Sequence, residues 1–424
     1  MTIKRLSPFG KPWIVTNKAL RDQSILQMKN NQIPDDHLLL EPLSRNTAPA
    51  IAFMCHILNS KGLASEVVGV FSADHLISQP NAFKRAVEIA EQEARTHGRV
   101  VTLGLRPYSP ATGFGYIQVG GEDAERAKGA SPVVRFHEKP DLATAKKFLA
   151  SGEHFWNAGI FVFRVQTMID LFRKHQPEMW TKIEGIKPDL SNIQEVYEGL
   201  KNISIDYAII EKLGAQELSC VPCDMGWDDV GSWDAIAEIK GKKDTPNYIT
   251  VEAENNYVHE QTGKLYCFAG VDDLIVVDTK DALMISRRGQ SQKVKDVVEQ
   301  VKARDPVLLQ QHQDEERPWG GFEVLKDTDT FKSKVVIVNP GQQISYQSHS
   351  KREEHWMIVE GTGVVILNDE EIPVTRGSYV KIPLQAKHRI RNTGNVVMKF
   401  VEVQLGTYFG EDDIVRYQDD YKRT

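Results

Sequence analysis

Beyond Pro318 the sequence is almost entirely strand and turn. Short apolar runs at residues 334–338, 356–359, 364–367, 379–382 and 399–404 follow one another with Gly and Pro between them. Regularly spaced short strands of this kind close into an antiparallel barrel or jelly roll. The first half obeys a different rule: apolar runs at 13–15, 38–40, 67–71 and 100–103 are interleaved with longer stretches of helical period at 48–58 and 82–94. That alternation specifies an α/β sheet covered by helices. Between the two textures, residues 248–288 break into β-rich pieces such as Lys264-Leu-Tyr-Cys-Phe-Ala-Gly and Leu274-Ile-Val-Val-Asp-Thr. They predict a small β-helix or β-sandwich module, although no repeat of solenoid period is visible. A charged helix is expected over 292–302, and the polar stretch 310–317 reads as a linker. The expected division is therefore 1–243, 244–303, 304–316 and 317–424.

A chain of 424 residues has room for two or three domains, and 41 % apolar with 26 % charged residues argues against global disorder. The net charge of −6 argues against a nonspecific nucleic-acid binder, which would be basic. No apolar run approaches the ~20 residues that span a bilayer, so no membrane partner is expected. The first residues, Met1-Thr-Ile-Lys-Arg-Leu, lack the apolar stretch of a secretion signal, and the expectation is a cytoplasmic protein. Cys220 and Cys223 form a CxxC with no second pair to complete a zinc site, so they, Cys55 and Cys267 read as reduced thiols.

Three apolar strands of the first half end in polar residues, where ligands sit in open α/β sheets. The first is Leu38-Leu-Leu-Glu-Pro-Leu-Ser-Arg-Asn-Thr-Ala-Pro49, in which Asn46 and Thr47 can cap the following helix and present backbone N–H groups to an anion. The second, Val68-Gly-Val-Phe-Ser-Ala-Asp-His75, delivers Asp74, a carboxylate suited to Mg²⁺. The third, Gly226-Trp-Asp-Asp-Val-Gly-Ser-Trp233, sets paired aspartates between glycines and could equally be a simple Asx turn. Between them lie Thr112-Gly-Phe-Gly-Tyr-Ile117, Phe136-His-Glu-Lys-Pro140, Phe155-Trp-Asn-Ala-Gly-Ile-Phe161 and Ile205-Asp-Tyr-Ala-Ile-Ile-Glu-Lys212.

In this order the segments resemble the mannose-1-phosphate guanylyltransferases (GDP-mannose pyrophosphorylases), which have a Rossmann-like α/β nucleotidyltransferase fold. The resemblance implies attack of the mannose 1-phosphate phosphate on the α-phosphorus of GTP, with pyrophosphate leaving. It implies that Asp74 and Asp229 hold Mg²⁺ and that Lys139 neutralises the sugar phosphate. Gly115, Glu138 and Asn157 would meet the mannose, and Glu41, Pro42, Asn46 and Thr47 would lie near guanine and ribose. A surface ion pair with Glu138 or Asp141 is the alternative for Lys139.

Members of that family open with a strand and a Gly-rich loop, Gly-Gly-x-Gly-Thr-Arg-Leu-Trp-Pro, then a lysine-bearing segment. None of these is in the sequence, and Met1-Thr-Ile-Lys-Arg-Leu matches the helix after the loop. The resemblance thus implies an N-terminally incomplete domain, without the amides and arginine that hold the triphosphate. The neighbours of the lost strand would keep unpaired apolar edges. Either the start is an internal methionine of a longer gene, or the chain is a short form without transferase activity. The second option leaves an isomerase-only enzyme or a non-catalytic sugar-nucleotide-binding protein.

The last domain opens at Arg317-Pro-Trp-Gly-Gly-Phe-Glu-Val324. Gly341-Gln-Gln-Ile-Ser-Tyr-Gln-Ser-His349 leads to Glu354-His-Trp-Met-Ile-Val-Glu-Gly361, and Gly377-Ser-Tyr-Val-Lys-Ile-Pro383 leads to His388 and Asn392. These resemble the two cupin motifs, and the tail Val403-Gln-Leu-Gly-Thr-Tyr-Phe-Gly-Glu-Asp-Asp-Ile414 extends the similarity to the type II mannose-6-phosphate isomerase domain. The resemblance implies a divalent metal on His349, Glu354 and His388, interconverting fructose 6-phosphate and mannose 6-phosphate. Lys351 stands where the family has a second histidine, so Gln347 or water would complete the site. Strand alternation turns His355 away from Glu354. Lys351 and His355 both remain open as the proton-transfer base. A homo-oligomer is compatible with this reading.

Overall fold

The structure is a computed structural model that describes residues 5–6, 9–120, 129–241, 247–260, 263–309 and 313–420. Residues 1–4 of the expected N-terminal helix, 242–246 at the expected first boundary and 310–312 of the expected linker lie outside the described residues. The chain forms two compact units, divided between Gly231 and Ser232 over most of their length.

In the first unit, β1 (Ile14–Asn17) and β2 (Leu38–Glu41) pair in parallel as a two-stranded sheet. A larger sheet follows the order β3 (Val67–Val70), β8 (His154–Arg164), β5 (Val100–Leu105), β9 (Leu218–Cys223), β7 (Ser131–His137), β6 (Tyr116–Val119). The pair β5–β9 is parallel, and β8 runs antiparallel to β3, β5 and, at its N-terminal end, β6. Period-two alternation splits β8 between two cores. Phe155, Phe161 and Phe163 face the cluster that includes helix α1 (Thr47–Ser60), and Trp156, Ala158, Ile160 and Val162 face the cluster built on α2 (Pro80–His97). A sheet covered on both faces is what the uninterrupted apolar runs require. Among the described residues β2 pairs only with β1, and β3 only with β8, so each keeps one free ladder edge. Among the described residues no helix is long and apolar enough to cross a membrane.

The second unit begins with α6 (Trp233–Lys240), the helices α3 (Leu142–Ser151), α4 (Val165–His175) and α5 (Ile205–Ala208) belonging to the first. Of the two options left open for residues 248–288, the β-helix is realised. Strand β11 (Tyr248–Val251) lies in parallel on β13 (Tyr266–Ala269), and β12 (Tyr257–Glu260) on β14 (Leu274–Asp278), with β15 (Leu283–Arg287) antiparallel to β14. Both parallel registers have the same offset, which the side-chain bonds Asn255 to Asp273 and Glu254 to Asp272 repeat at a separation of 18 residues. The expectation of no solenoid period is thereby corrected. Two coils are too few, and Tyr248-Ile-Thr-Val and Tyr266-Cys-Phe-Ala too dissimilar, for the period to show in the sequence. The expected charged helix is α7 (Val294–Arg304).

The C-terminal strands form two sheets. One has the order β16 (Asp314–Arg317), β17 (Gly320–Asp327), β18 (Phe331–Val338), β25 (Met398–Gly406), β20 (Arg352–Glu360), β23 (Tyr379–Ile382). The other is β22 (Glu370–Thr375), β21 (Thr362–Leu367), β24 (His388–Asn392), β19 (Tyr346–His349), β26 (Ile414–Gln418). Trp356, Ile358, Phe400, Met398, Ile390 and Val365 meet in the core between the sheets. The end of the expected linker, residues 314–317, is strand β16 paired with β17.

Candidate active site

In the first unit, a two-residue antiparallel ladder joins β4 (Leu76–Ile77) to β10 (Trp227–Asp228), with Leu76 opposite Asp228. Asp74 and Asp229 lie at the same end of this ladder, and both carboxylates act on His75. Burial pushes the His75 imidazole below its ordinary value, and Asp74 and Asp229 oppose the shift. Trp227 Nε1 donates to His75 Nδ1 at 3.1 Å, which holds the ring edge-on to the indole. The Asx-turn alternative also holds: Asp228 Oδ1 accepts the Val230 N–H at 2.7 Å, and Asp229 Oδ1 the Gly231 N–H at 3.2 Å. Turn and carboxylate pair coexist because each aspartate commits one oxygen to the backbone and keeps the other.

Gly115, Glu138, Lys139 and Asn157 form a second group. The Asn157 N–H donates to Gly115 O at 2.8 Å. A Cβ on Gly115 would stand 2.6 Å from Glu138 Oε2, so only glycine lets the carboxylate sit there. Lys139 Nζ pairs with Glu138 Oε1 at 3.3 Å and is more than half exposed, so the ion-pair alternative for Lys139 is present. Asn157 is fixed from three sides. Its Oδ1 accepts from Thr102 Oγ1 at 2.9 Å and from the Gly159 N–H at 3.2 Å, and its Nδ2 donates to Asp206 Oδ1 at 3.0 Å. Burial raises Glu138, and the Asp206 charge adds to the shift. Asp206 belongs to the 205–212 segment, but its hydrogen bond to Asn157, 49 positions away, has no local signal in the sequence.

The β2–α1 corner differs from expectation. Asn46 does cap α1, in a positive-φ conformation, with Oδ1 accepting the Thr47 N–H at 2.8 Å. The Ala48 N–H, however, goes to Ile203 O at 3.2 Å, and position 49 is proline. The Thr47 amide is thus held by the Asn46 cap and the Ala48 amide by a returning segment, so neither is offered to an anion. The same segment donates its Ile205 N–H to Thr47 Oγ1 at 2.8 Å. Glu41 is buried beside Tyr197 and pushed up to about 7 by desolvation, and Pro42 is half-buried.

In the barrel, β20 alternates strictly. Arg352, Glu354, Trp356 and Ile358 point inward, and Glu353, His355, Met357 and Val359 outward. His349 on β19 and His388 on β24 face Glu354, and one ligand atom from each of the three residues falls within 4.8 Å of the others. His349 Nε2 is 3.0 Å from Glu354 Oε1 and His388 Nε2 is 3.5 Å from Oε2. His388 Nδ1 meets Ala386 O at 2.9 Å, which places its proton there and leaves the Nε2 lone pair aimed at a carboxylate. That Nε2, like His349 Nδ1, is buried without a hydrogen-bond partner. Two acceptors facing each other in a water-poor interior call for a cation between them, so the donor set fits a divalent metal. Burial opposes ionisation of Glu354, but the His349 hydrogen bond and the Arg352 guanidinium help hold it well below the usual carboxylate range. Gln347 Nε2 lies 3.5 Å from His349 Nε2, beside the triad.

Neither residue left open as the base reaches this group. The Lys351 ammonium sits over the Tyr408 ring, 4.6 Å from its centroid, on an exposed side chain. His355 Nδ1 meets Tyr379 Oη at 2.6 Å and Nε2 meets Glu353 at 3.1 Å on the outer face. The inner face carries residues that the motif reading missed. An open cleft is lined by Glu354 and Arg352 together with Glu402, Gln404, Lys334 and Arg416. Gln404 Nε2 donates to Glu354 Oε1 at 3.1 Å and to Glu402 Oε1 at 2.8 Å. Burial, reinforced by the Glu354 charge, pushes Glu402 up to about 7, with Lys334 opposing.

Fold and site together define a sugar-nucleotide enzyme architecture, a nucleotidyltransferase α/β unit in one chain with a metal-fitting cupin barrel. Residues 1–245 match the nucleotidyl transferase family, 246–301 the MannoseP isomerase/GMP-like β-helix domain, and 304–419 the mannose-6-phosphate isomerase C-terminal domain. The chain belongs to the nucleotidyl transferase family, in the group that carries this isomerase domain. It is 36 % identical to the xanthan biosynthesis protein XanB of Xanthomonas campestris, covering 97 % of this chain and 89 % of that one. It is equally 36 % identical to the alginate biosynthesis protein AlgA of Pseudomonas aeruginosa, with 100 % and 90 % covered. The mannose-1-phosphate guanylyltransferase of Escherichia coli K12 is also 36 % identical, with 97 % and 88 % covered. A crystal structure titled mannose-1-phosphate geranyltransferase from Thermus thermophilus superposes with a TM-score of 0.60 at 29 % identity, covering 71 % of this chain and 88 % of that one.

Proposed function

We propose that this chain is bifunctional: a mannose-1-phosphate guanylyltransferase in residues 1–243 and a mannose-6-phosphate isomerase in 317–424, joined through the β-helix module of 244–303 and the stretch 304–316. The observation that carries the isomerase half is the buried His349–Glu354–His388 triad, whose facing acceptors suit a divalent cation. Bound there, the metal would act as a Lewis acid on the sugar oxygens at C1 and C2. His349, Glu354 and His388 hold it, Gln347 stands ready beside them, and Arg352 keeps Glu354 ionised. Arg317, Lys334 and Arg416 line the cleft as cations suited to a sugar phosphate.

The transferase half is supported by family membership and by the two carboxylates at one end of the β4–β10 ladder. Asp74 and Asp229 each have a carboxylate suited to Mg²⁺, which would neutralise charge on the α-phosphate and the leaving pyrophosphate. Lys139 neutralises the sugar phosphate. Gly115, Glu138 and Asn157 receive the mannose hydroxyls, and Glu41, Pro42, Asn46 and Thr47 lie on the nucleotide side. The substrates are then GTP, mannose 1-phosphate and mannose 6-phosphate, handled in the cytoplasm. The test is a pair of assays on the full chain: pyrophosphate release from GTP and mannose 1-phosphate with Mg²⁺, and conversion of fructose 6-phosphate to mannose 6-phosphate after metal loading. Conversion without bound metal, or its absence with one metal ion per chain, overturns the isomerase half. Pyrophosphate release that does not depend on mannose 1-phosphate overturns the transferase half.

A further inference from the structure

An aldose–ketose isomerase needs one group that takes a proton from C2 and returns it to C1, and that group must stand inside the cleft beside the metal ligands. Resting on the isomerase reading above, we infer that Glu402 is this group. Glu354 is committed to His349, Arg352, Trp356 and Gln404, at 3.0, 3.3, 3.2 and 3.1 Å respectively. Glu411, the other carboxylate on the wall, is paired with Arg416 at 3.2 Å. Lys351 and His355 lie outside the cleft.

Glu402 is an inward residue of β25, 7 % exposed and part of the cleft wall. Two neighbours set its position. Lys334 on β18 lies directly opposite it in register, and Gln404 ties its Oε1 to the same amide that holds Glu354. The carboxylate therefore stands one side chain away from the metal-holding group without belonging to it. A base placed there can meet the C1–C2 edge of a sugar whose oxygens face the triad.

The step balances without a co-reactant. The Glu402 carboxylate takes the C2 proton of mannose 6-phosphate while the C2–H electrons form the C1–C2 double bond and the carbonyl electrons move to O1. The enediol is completed by transfer of a proton from O2 to O1, and the Glu402 carboxyl delivers its proton to C1 as the O2 carbonyl forms. Glu402 ends as it began, and the ketose is released.

The experiment compares metal-loaded wild type, Glu402→Gln and Glu402→Asp in the full chain by three readouts. These are metal content, interconversion of the two hexose phosphates, and loss of the C2 proton signal of mannose 6-phosphate in D₂O. Glu402→Gln should keep its metal while interconversion and C2 exchange fall together by roughly 10²–10⁴-fold, the range for loss of a general base. Glu402→Asp, which keeps the carboxylate, should recover part of both. Activity of Glu402→Gln within tenfold of wild type overturns the assignment and leaves the isomerase reading standing. Loss of metal in both variants also overturns it, because Glu402 would then belong to the ligand set or to the fold. Inactivity of metal-loaded wild type overturns both.

Discussion

His388 Nε2 faces Glu354 Oε2 across 3.5 Å while its other ring nitrogen is held by the Ala386 carbonyl at 2.9 Å. The backbone has therefore chosen the tautomer that a metal requires. Replacing His388 by Ala should abolish metal binding and isomerase activity, and the pH of half-maximal metal loading should lie below that of an ordinary histidine site, since burial lowers His388. Metal analysis of dialysed protein across pH 5–8 checks both. Full metal content in His388→Ala would refute the ligand assignment.

Lys351 points to Tyr408 rather than to the triad. Lys351→Ala should therefore keep its metal and stay within about threefold of wild-type isomerase rate, the small effect expected of an exposed cation–π contact. A loss of a hundredfold or more would mean that the lysine moves into the cleft during turnover.

Asp74 and Asp229 lie at the same end of one short ladder. Changing either to Ala should lower guanylyl transfer by orders of magnitude without lowering Tm, and the double variant should be little worse than the single ones, as for groups that act as a unit. Strictly additive losses in activation free energy, read from pyrophosphate release, would count against a shared Mg²⁺.

Gly115→Ala places a methyl 2.6 Å from Glu138 Oε2 and 3.1 Å from Phe136 Cζ. The carboxylate must swing away, so KM for mannose 1-phosphate should rise by about tenfold or more, equivalent to roughly 1.4 kcal/mol. KM for GTP should change little. Equal effects on both substrates would remove Glu138 from the sugar side.

Glu41 titrates near 7 when folded and from an ordinary value of 4.5 when unfolded. A raised carboxyl holds its extra proton only in the folded chain, so its contribution to stability is full below about pH 4.5 and is lost as pH rises towards 7. Glu41→Gln cannot lose that proton. Its Tm relative to wild type should climb between pH 5 and 7 and then level, a gain on the order of 1 kcal/mol after allowing for residual solvent screening. A constant difference across that range would show that Glu41 ionises freely.

Much of this was legible because it was local. The inward turn of Glu354 and the outward turn of His355 follow from strand alternation alone, and the triad from the resemblance to the two cupin motifs. Glu402 was not legible, because Val401-Glu402-Val403-Gln404 reads as one strand among many and only the register with Lys334 shows what it faces. The fate of the Ala48 amide was hidden for a related reason. Its acceptor, Ile203, returns from a distant part of the chain, and nothing in the segment around Asn46 announces it. Asp206 lies in the 205–212 segment, but its role depends on a hydrogen bond to Asn157 that spacing cannot reveal.

The β-helix module gains its coherence from a constant offset of 18 residues between stacked strands. A ladder of that kind tolerates length change only in quanta. Removing or adding a whole coil preserves every cross-coil pairing, whereas a change of one residue would turn the buried Tyr257, Ile275 and Val277 outward and sever their packing against Trp233 and Ala237. Length variation in this part of the chain should therefore come in steps of one coil or be confined to the turns.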